Sequence, residues 1–153
     1  MKYQPFVMIL FVSCSNFMAP DFTYTTETPE AVTDLESAFL YASMPYTLDS
    51  DTHGTEEYWQ GPGETMDRGT GDCEDFAILF SALAEELGHD AKVVFCYGHC
   101  VSRVDGKYYD PTPILTDDGW KADVFEPVEV EDIERVYTVS EAIQIAVEEY
   151  GSY

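Results

Sequence analysis

Positive charge is scarce in this sequence: seven Lys and Arg stand against thirty Asp and Glu in 153 residues, a net charge of −23. A chain so charged repels phosphate backbones, and its few cations are scattered, which excludes nucleic-acid binding. Long apolar runs are missing too. The unbroken stretch Phe6-Val7-Met8-Ile9-Leu10-Phe11-Val12 has seven residues, whereas crossing a bilayer takes about 20. No internal repeat and no second composition regime follows it. What is present is ordinary for a folded domain. The chain is 45% hydrophobic and 14% aromatic, and at this length it can bury ~68–70% of its unfolded surface. Wholesale disorder is excluded. The excess of acid implies solubility, repulsion from anionic lipid and affinity for divalent cations.

Met1-Lys2 and the apolar run after it have the layout of a secretory signal. Phe11-Val12-Ser13-Cys14 resembles a bacterial lipoprotein box, which implies lipidation at Cys14 and export across an inner membrane to the periplasm or cell surface. The expected organisation is a signal peptide over 1–14, a tether over 15–28 and one domain over 29–153. Membrane contact would then run only through the lipid anchor. The competing reading is an N-terminal strand with a structural cysteine.

Residues 29–41 have helical spacing, with Pro29 suited to a first turn. Residues 50–54 read as a loop, and Trp59-Gln60-Gly61-Pro62-Gly63 as irregular chain. Residues 73–87 form an amphipathic pattern, with Phe76, Ala77, Phe80, Leu83, Ala84 and Leu87 inward and Glu85 and Glu86 outward. Asp72 is a good N-cap for it and Gly88 a good stop. Two strands follow at 91–97 and 99–104. Asp105-Gly106 is a two-residue hairpin turn, and 107–110 returns until Pro111. In that register Val104 faces Lys107, so His99, Val101 and Asp110 share one face, His99 and Asp110 being diagonal neighbours at ~7–8 Å. Beyond, 113–120 reads as a loop, 124–130 as an edge strand broken by Pro127, and 141–150 as a helix capped by Ser140. His53 and His89 fall in loops with no evident partner.

Cys73 stands in the first turn of its helix, on the line of the buried stripe. A helix start favours thiolate, whereas Asp72, Glu74 and Asp75 oppose it and push the thiol up. Taken singly, a buried cysteine, a strand histidine and an Asp-Pro turn are ordinary structural residues. Together they match what nucleophilic acyl chemistry needs: a thiol, a base and an orienter of that base. The expected geometry puts the Cys73 sulfur within ~4 Å of a His99 ring nitrogen, the other nitrogen turned to Asp110.

The runs Trp59-Gln60-Gly61-Pro62-Gly63-Glu64-Thr65, Gly69-Thr70-Gly71-Asp72-Cys73-Glu74-Asp75-Phe76-Ala77, Gly98-His99 and Tyr109-Asp110-Pro111-Thr112 resemble the transglutaminase-like superfamily, relatives of papain-type cysteine proteases. The resemblance implies an α+β core, a nucleophile-bearing helix packed on a small antiparallel sheet, with Cys73, His99 and Asp110 as nucleophile, base and orienter. Acids on both sides of the nucleophile look closest to bacterial transglutaminase-like cysteine proteases of the periplasm. That pattern would make Asp72, Glu74 and Asp75 calcium ligands, although capping and dipole pairing explain the same acids, and the chemistry itself requires no cofactor. The Cys73 amide is the expected oxyanion donor, with Trp59 and Gln60 as site wall. A protein or peptide substrate is implied, attacked for hydrolysis. The alternatives are acyl transfer to an amine, or a binding lipoprotein that keeps the fold without catalysis. Gly98 alone joins the two strands, a shorter loop than many members carry. Cys96 and Cys100 are expected to be free thiols, since a bond between them would need local distortion.

Overall fold

A computed structural model describes residues 28–153. The signal-like segment 1–14 with Cys14, and residues 15–27 of the tether, lie outside the described residues.

The first helix, α1 (Leu35–Ala42), begins later than the spacing predicts. Asp34 sets its start: Oδ1 accepts from the Ser37 amide at 2.8 Å, and Ser37 Oγ accepts back from the Asp34 amide at 3.0 Å. This reciprocal cap satisfies two orphan donors, leaving Pro29 in a turn outside the helix. Residues expected to be a loop wind into one turn, α2 (Asp49–Thr52). The segment expected to be irregular opens another helix, α3 (Pro62–Arg68), with Gly61 as N-cap and Pro62 in its first turn. Proline there gives up an amide that a helix start cannot use, so Gly-Pro serves as an entry rather than a break.

The central helix, α4 (Cys73–Glu86), is buried at every residue from 74 to 84. The expected one-sided stripe is therefore too narrow. The helix lies against a sheet on one side and against α1 and α3 on the other, and a helix enclosed on all sides has little use for a polar face. Phe39 of α1 meets Phe80 of α4 edge to face, with centroids 5.5 Å apart.

The sheet contains β1 (Ala91–Cys96), β2 (His99–Val104), β3 (Lys107–Tyr109) and β6 (Ile133–Thr138), antiparallel in the order β3-β2-β1-β6. Asp105 and Gly106 take positive φ, 48° and 80°, as a two-residue turn of matching twist requires. Val104 pairs with Lys107 as predicted. The expected loop at 113–120 is instead a small hairpin, β4 (Ile114–Thr116) and β5 (Gly119–Lys121). Around Pro127 there is no strand, only a single bridge between Val128 and Tyr108. The sheet's edge beside β1 is β6, whose exposed, charged sequence hid it. Thr138, not Ser140, caps the last helix, α5 (Val139–Ile145), through a reciprocal box with Glu141; a π-helical turn, Ala146–Tyr150, follows.

Both remaining histidines have partners. His89 Nδ1 lies 2.7 Å from Asp105 Oδ2, and His53 stacks on Tyr58 with centroids 3.6 Å apart. Among the described residues no helix is long and apolar enough to cross a membrane.

Candidate active site

The start of α4 is clamped from two sides. The Thr47 amide donates to Gly71 O at 2.8 Å, and Tyr46 pairs with Gly71 in a parallel bridge. From the other side comes Asp75, fully buried in the first turn. Its Oδ1 accepts from the Gln60 amide (2.7 Å), and its Oδ2 from the Asp72 amide (3.1 Å) and from Gln60 Nε2. A Cβ on Gly71 would lie 2.6 Å from Asp75 Oδ2 and 2.9 Å from Gln60 Nε2. Gly71→Ala must therefore displace this buried clamp. It is expected to cost about 1–3 kcal/mol, read as a lower melting temperature, and an unchanged melt would show that the clamp yields freely.

Cys73 occupies the first position of the clamped helix, and its amide is one of those that a first turn leaves unpaired. His99 and Asp110 meet across the sheet: His99 Nε2 lies 2.7 Å from Asp110 Oδ2, with the side chains 35% and 32% exposed. The Thr112 amide holds the other Asp110 oxygen at 3.0 Å. Asp110 raises the imidazole above its usual pKa by hydrogen bond and charge, outweighing burial. Burial lifts Asp110, but the bonds from His99 and Thr112 prevail and hold it low. His99 Nδ1 has no hydrogen bond among the described residues.

Cys73 and His99 line one cleft of about 250 Å³, together with Phe95, Cys96 and Cys100. The expected thiol-to-imidazole hydrogen bond is not made. Cys73 Sγ donates instead to Glu74 Oε2 at 3.2 Å. Burial, then the charge and hydrogen bond of Glu74 and the charge of Asp72, push the thiol far above its ordinary value; a Cys100 backbone contact pulls weakly the other way. A thiol so protonated is a donor, and the adjacent carboxylate is its nearest acceptor. Cys96, half-buried, and Cys100, buried, are free as expected.

The acids beside the thiol group differently from the expectation. Asp49, Asp72 and Glu74 bring carboxylate oxygens within 4.8 Å of one another, all buried. Asp75 is excluded because the clamp uses both its oxygens. Asp49 was missed. It lies 23 positions before Asp72, and only the pairing of residues 46–47 with Gly71 brings it there. Among the described residues Asp49 Oδ1 and Asp72 Oδ1 are buried without a hydrogen-bond partner, and no Lys or Arg bonds to the cluster. Burial, helped by the Asp72 charge, lifts Asp49 to about 7. Burial likewise raises Asp72 and Glu74. Buried acceptors with no counter-charge are costly, and an all-carboxylate donor set of this kind fits a hard divalent cation.

Trp59 and Gln60 do not line the cleft. The indole N–H donates to Glu57 Oε1 at 2.8 Å while the ring stacks on Phe95 (centroids 4.9 Å apart). Gln60 is fully buried, its Nε2 spent on Asp75 and on Thr70 O. Both support the site from behind.

A family model described as the transglutaminase-like superfamily matches residues 18–122, more than half of the sequence. The chain belongs to the transglutaminase-like superfamily. The mixed helix and antiparallel sheet, with the cysteine helix packed on the histidine strand, is this superfamily's fold. No curated protein matches the chain. Among solved structures it is similar to Legionella pneumophila LapG, at 18% identity over 74% of this chain and 77% of that one, with a TM-score of 0.46. EGTA-treated LapG from the same organism gives 20%, 68%, 64% and 0.43, and calcium-bound LapG 18%, 69%, 67% and 0.42.

Proposed function

We propose that this superfamily member is a cysteine hydrolase that cleaves peptide amides, with Cys73 as nucleophile, His99 as base and Asp110 as its orienter. The observation that carries this reading is the His99–Asp110 pair at 2.7 Å, set in the same cleft as a thiol at a helix start. Asp110 holds the ring by Nε2, which leaves Nδ1 for the thiol proton. The thiolate adds to the amide carbonyl, and the oxyanion that forms is received by the Cys73 amide N–H at the start of α4. His99 then gives its proton to the departing amine, leaving a thioester on Cys73. Water, deprotonated by His99, hydrolyses that thioester and restores the thiol. Acyl transfer to an amine would use the same thioester.

Calcium is the cation proposed for Asp49, Asp72 and Glu74. Bound there, it would supply positive charge that neutralises the acids and removes their opposition to the Cys73 thiolate.

The test is mass-spectrometric trapping of an acyl adduct from a peptide library in the presence of calcium. The adduct is expected on Cys73, and absent from Cys96 and Cys100. No adduct on Cys73, with the fold intact, would leave a binding protein that keeps the fold. We also propose export and lipid anchoring at Cys14. The full chain expressed in a bacterium is expected to partition into detergent, and Cys14→Ser to release it. An unmodified protein starting at Met1 would remove the anchor and leave the cleft chemistry standing.

A further inference from the structure

The cleft wall carries an irregularity that the catalytic reading does not use. Strand β6 pairs with β1 regularly until Phe95, which faces Arg135. Cys96 then faces Ile133, so Glu134 is an extra residue bulged out of the ladder. Bulges re-aim side chains, often beside active sites, and this one brings Glu134 into the lining of the Cys73 cleft. Its charge is felt there: burial, then Asp110, with Glu134 adding, raises the Cys96 thiol. Glu57 also lines the cleft, exposed, with Oε1 fixed by the Trp59 indole at 2.8 Å. Among the described residues no Lys or Arg lines the cleft, and its histidine, His99, is held by Asp110. The nearest on β6, Arg135, is turned to the Tyr137 hydroxyl at 3.3 Å.

We propose that Glu134 and Glu57 form a cation-selecting subsite of the cleft, which takes a peptide carrying a lysine or arginine side chain beside the attacked amide. This rests on the reading of the cleft as a peptide-amide site. Two carboxylates lining one cleft attract a cation more than either does alone, and they repel an acidic peptide. Both are exposed, whereas Asp49, Asp72 and Glu74 are buried, and of these acids it is Glu74 and Asp72 whose charge bears on the Cys73 thiol. The flexible ammonium of lysine needs no fixed geometry, which suits carboxylates carried by two separate segments of the chain.

The probe is a set of capped hexa-alanine peptides in which one lysine is walked through the six positions, against the same set with norleucine. Binding is read by NMR titration on calcium-loaded Cys73→Ala, which cannot turn the peptide over. At low salt at least one lysine peptide is expected to bind about three- to tenfold tighter than its norleucine counterpart. The contrast should shrink in 0.5 M salt, on the order of a 4 Å screening length. It should fall in Glu134→Gln, an exposed position whose change leaves the core alone, and vanish in the Glu57→Gln/Glu134→Gln pair. Equal binding of both sets, or a contrast that survives the double substitution, overturns the subsite. Acylation of wild-type Cys73 by the same peptides is followed in parallel and separates the two readings. Lysine-selective binding without acylation sinks the hydrolase and keeps the subsite; acylation without lysine selectivity does the reverse.

Discussion

His99→Ala is expected to slow acylation of Cys73 by on the order of 10⁴-fold, because one residue both takes the thiol proton and returns it to the leaving amine. The melt should move little, since the ring is about a third exposed. Asp110→Ala should cost less, about 10²-fold, and should also change the pH profile. Asp110 raises the imidazole above its usual value of 6.5. The acid limb of the wild-type acylation profile should therefore lie above pH 6.5, where the base loses its proton, and move down once Asp110 is gone. A His99→Ala enzyme with near-normal acylation would sink the assignment of the base. An acid limb that stays put in Asp110→Ala would show that the 2.7 Å pair is structural only.

Calcium is expected to raise the melting temperature of the chelated protein at pH 7.5 by at least several degrees, and Asp49→Asn to abolish that response. The sign follows from the buried acids. Burial and the Asp72 charge lift Asp49 from 3.8 to about 7. Between those values the folded protein keeps a proton that the unfolded chain has lost. The ion-free fold therefore loses stability as pH rises from about 4 to about 7. Calcium should cancel this loss by supplying the missing counter-charge. Asp49→Asn should raise the melt of the chelated protein at pH 7.5, since it removes a buried charge while keeping the shape that accepts the Tyr58 amide (2.6 Å). A residue that stabilises when neutralised, yet is needed for the calcium response, is the signature of a ligand. Calorimetry that finds no binding, or binding that survives both Asp49→Asn and Glu74→Gln, would remove the cation. Asp75→Asn makes the contrast: it damages the Gln60 clamp and lowers the melt with or without calcium.

Much of the site was legible because its parts are local. Asp72, Cys73 and the apolar residues after them follow one helical period, and a helix start is recognisable from its cap. His99 and Asp110 are joined by a hairpin whose two-residue turn dictates register; once Asp105-Gly106 is read, the pairing of Val104 with Lys107 follows. The errors lie where local signals are ambiguous. Gly61-Pro62 reads equally as a break or an entry, and only the docked chain beyond it decides. Residues 133–138 carry no clear apolar alternation because an edge strand is mostly exposed. The apolar faces of α4 were undercounted because the number of neighbours a helix has is not written in its period.

By itself, then, the sequence determined the candidate site's local parts: a capped helix with a thiol in its first turn, a hairpin in fixed register, and a histidine and aspartate on one face of it. These depend on contacts between residues close in the chain, where backbone geometry leaves few choices. Tertiary structure alone decided which acids face one another, drawing Asp49 in and turning Asp75 away, because the pairing of residues 46–47 with Gly71 joins segments separated by α2 and α3. It also decided where the bulge on β6 aims Glu134. Such contacts join residues whose separation in sequence carries no period, so no spacing rule foretells them.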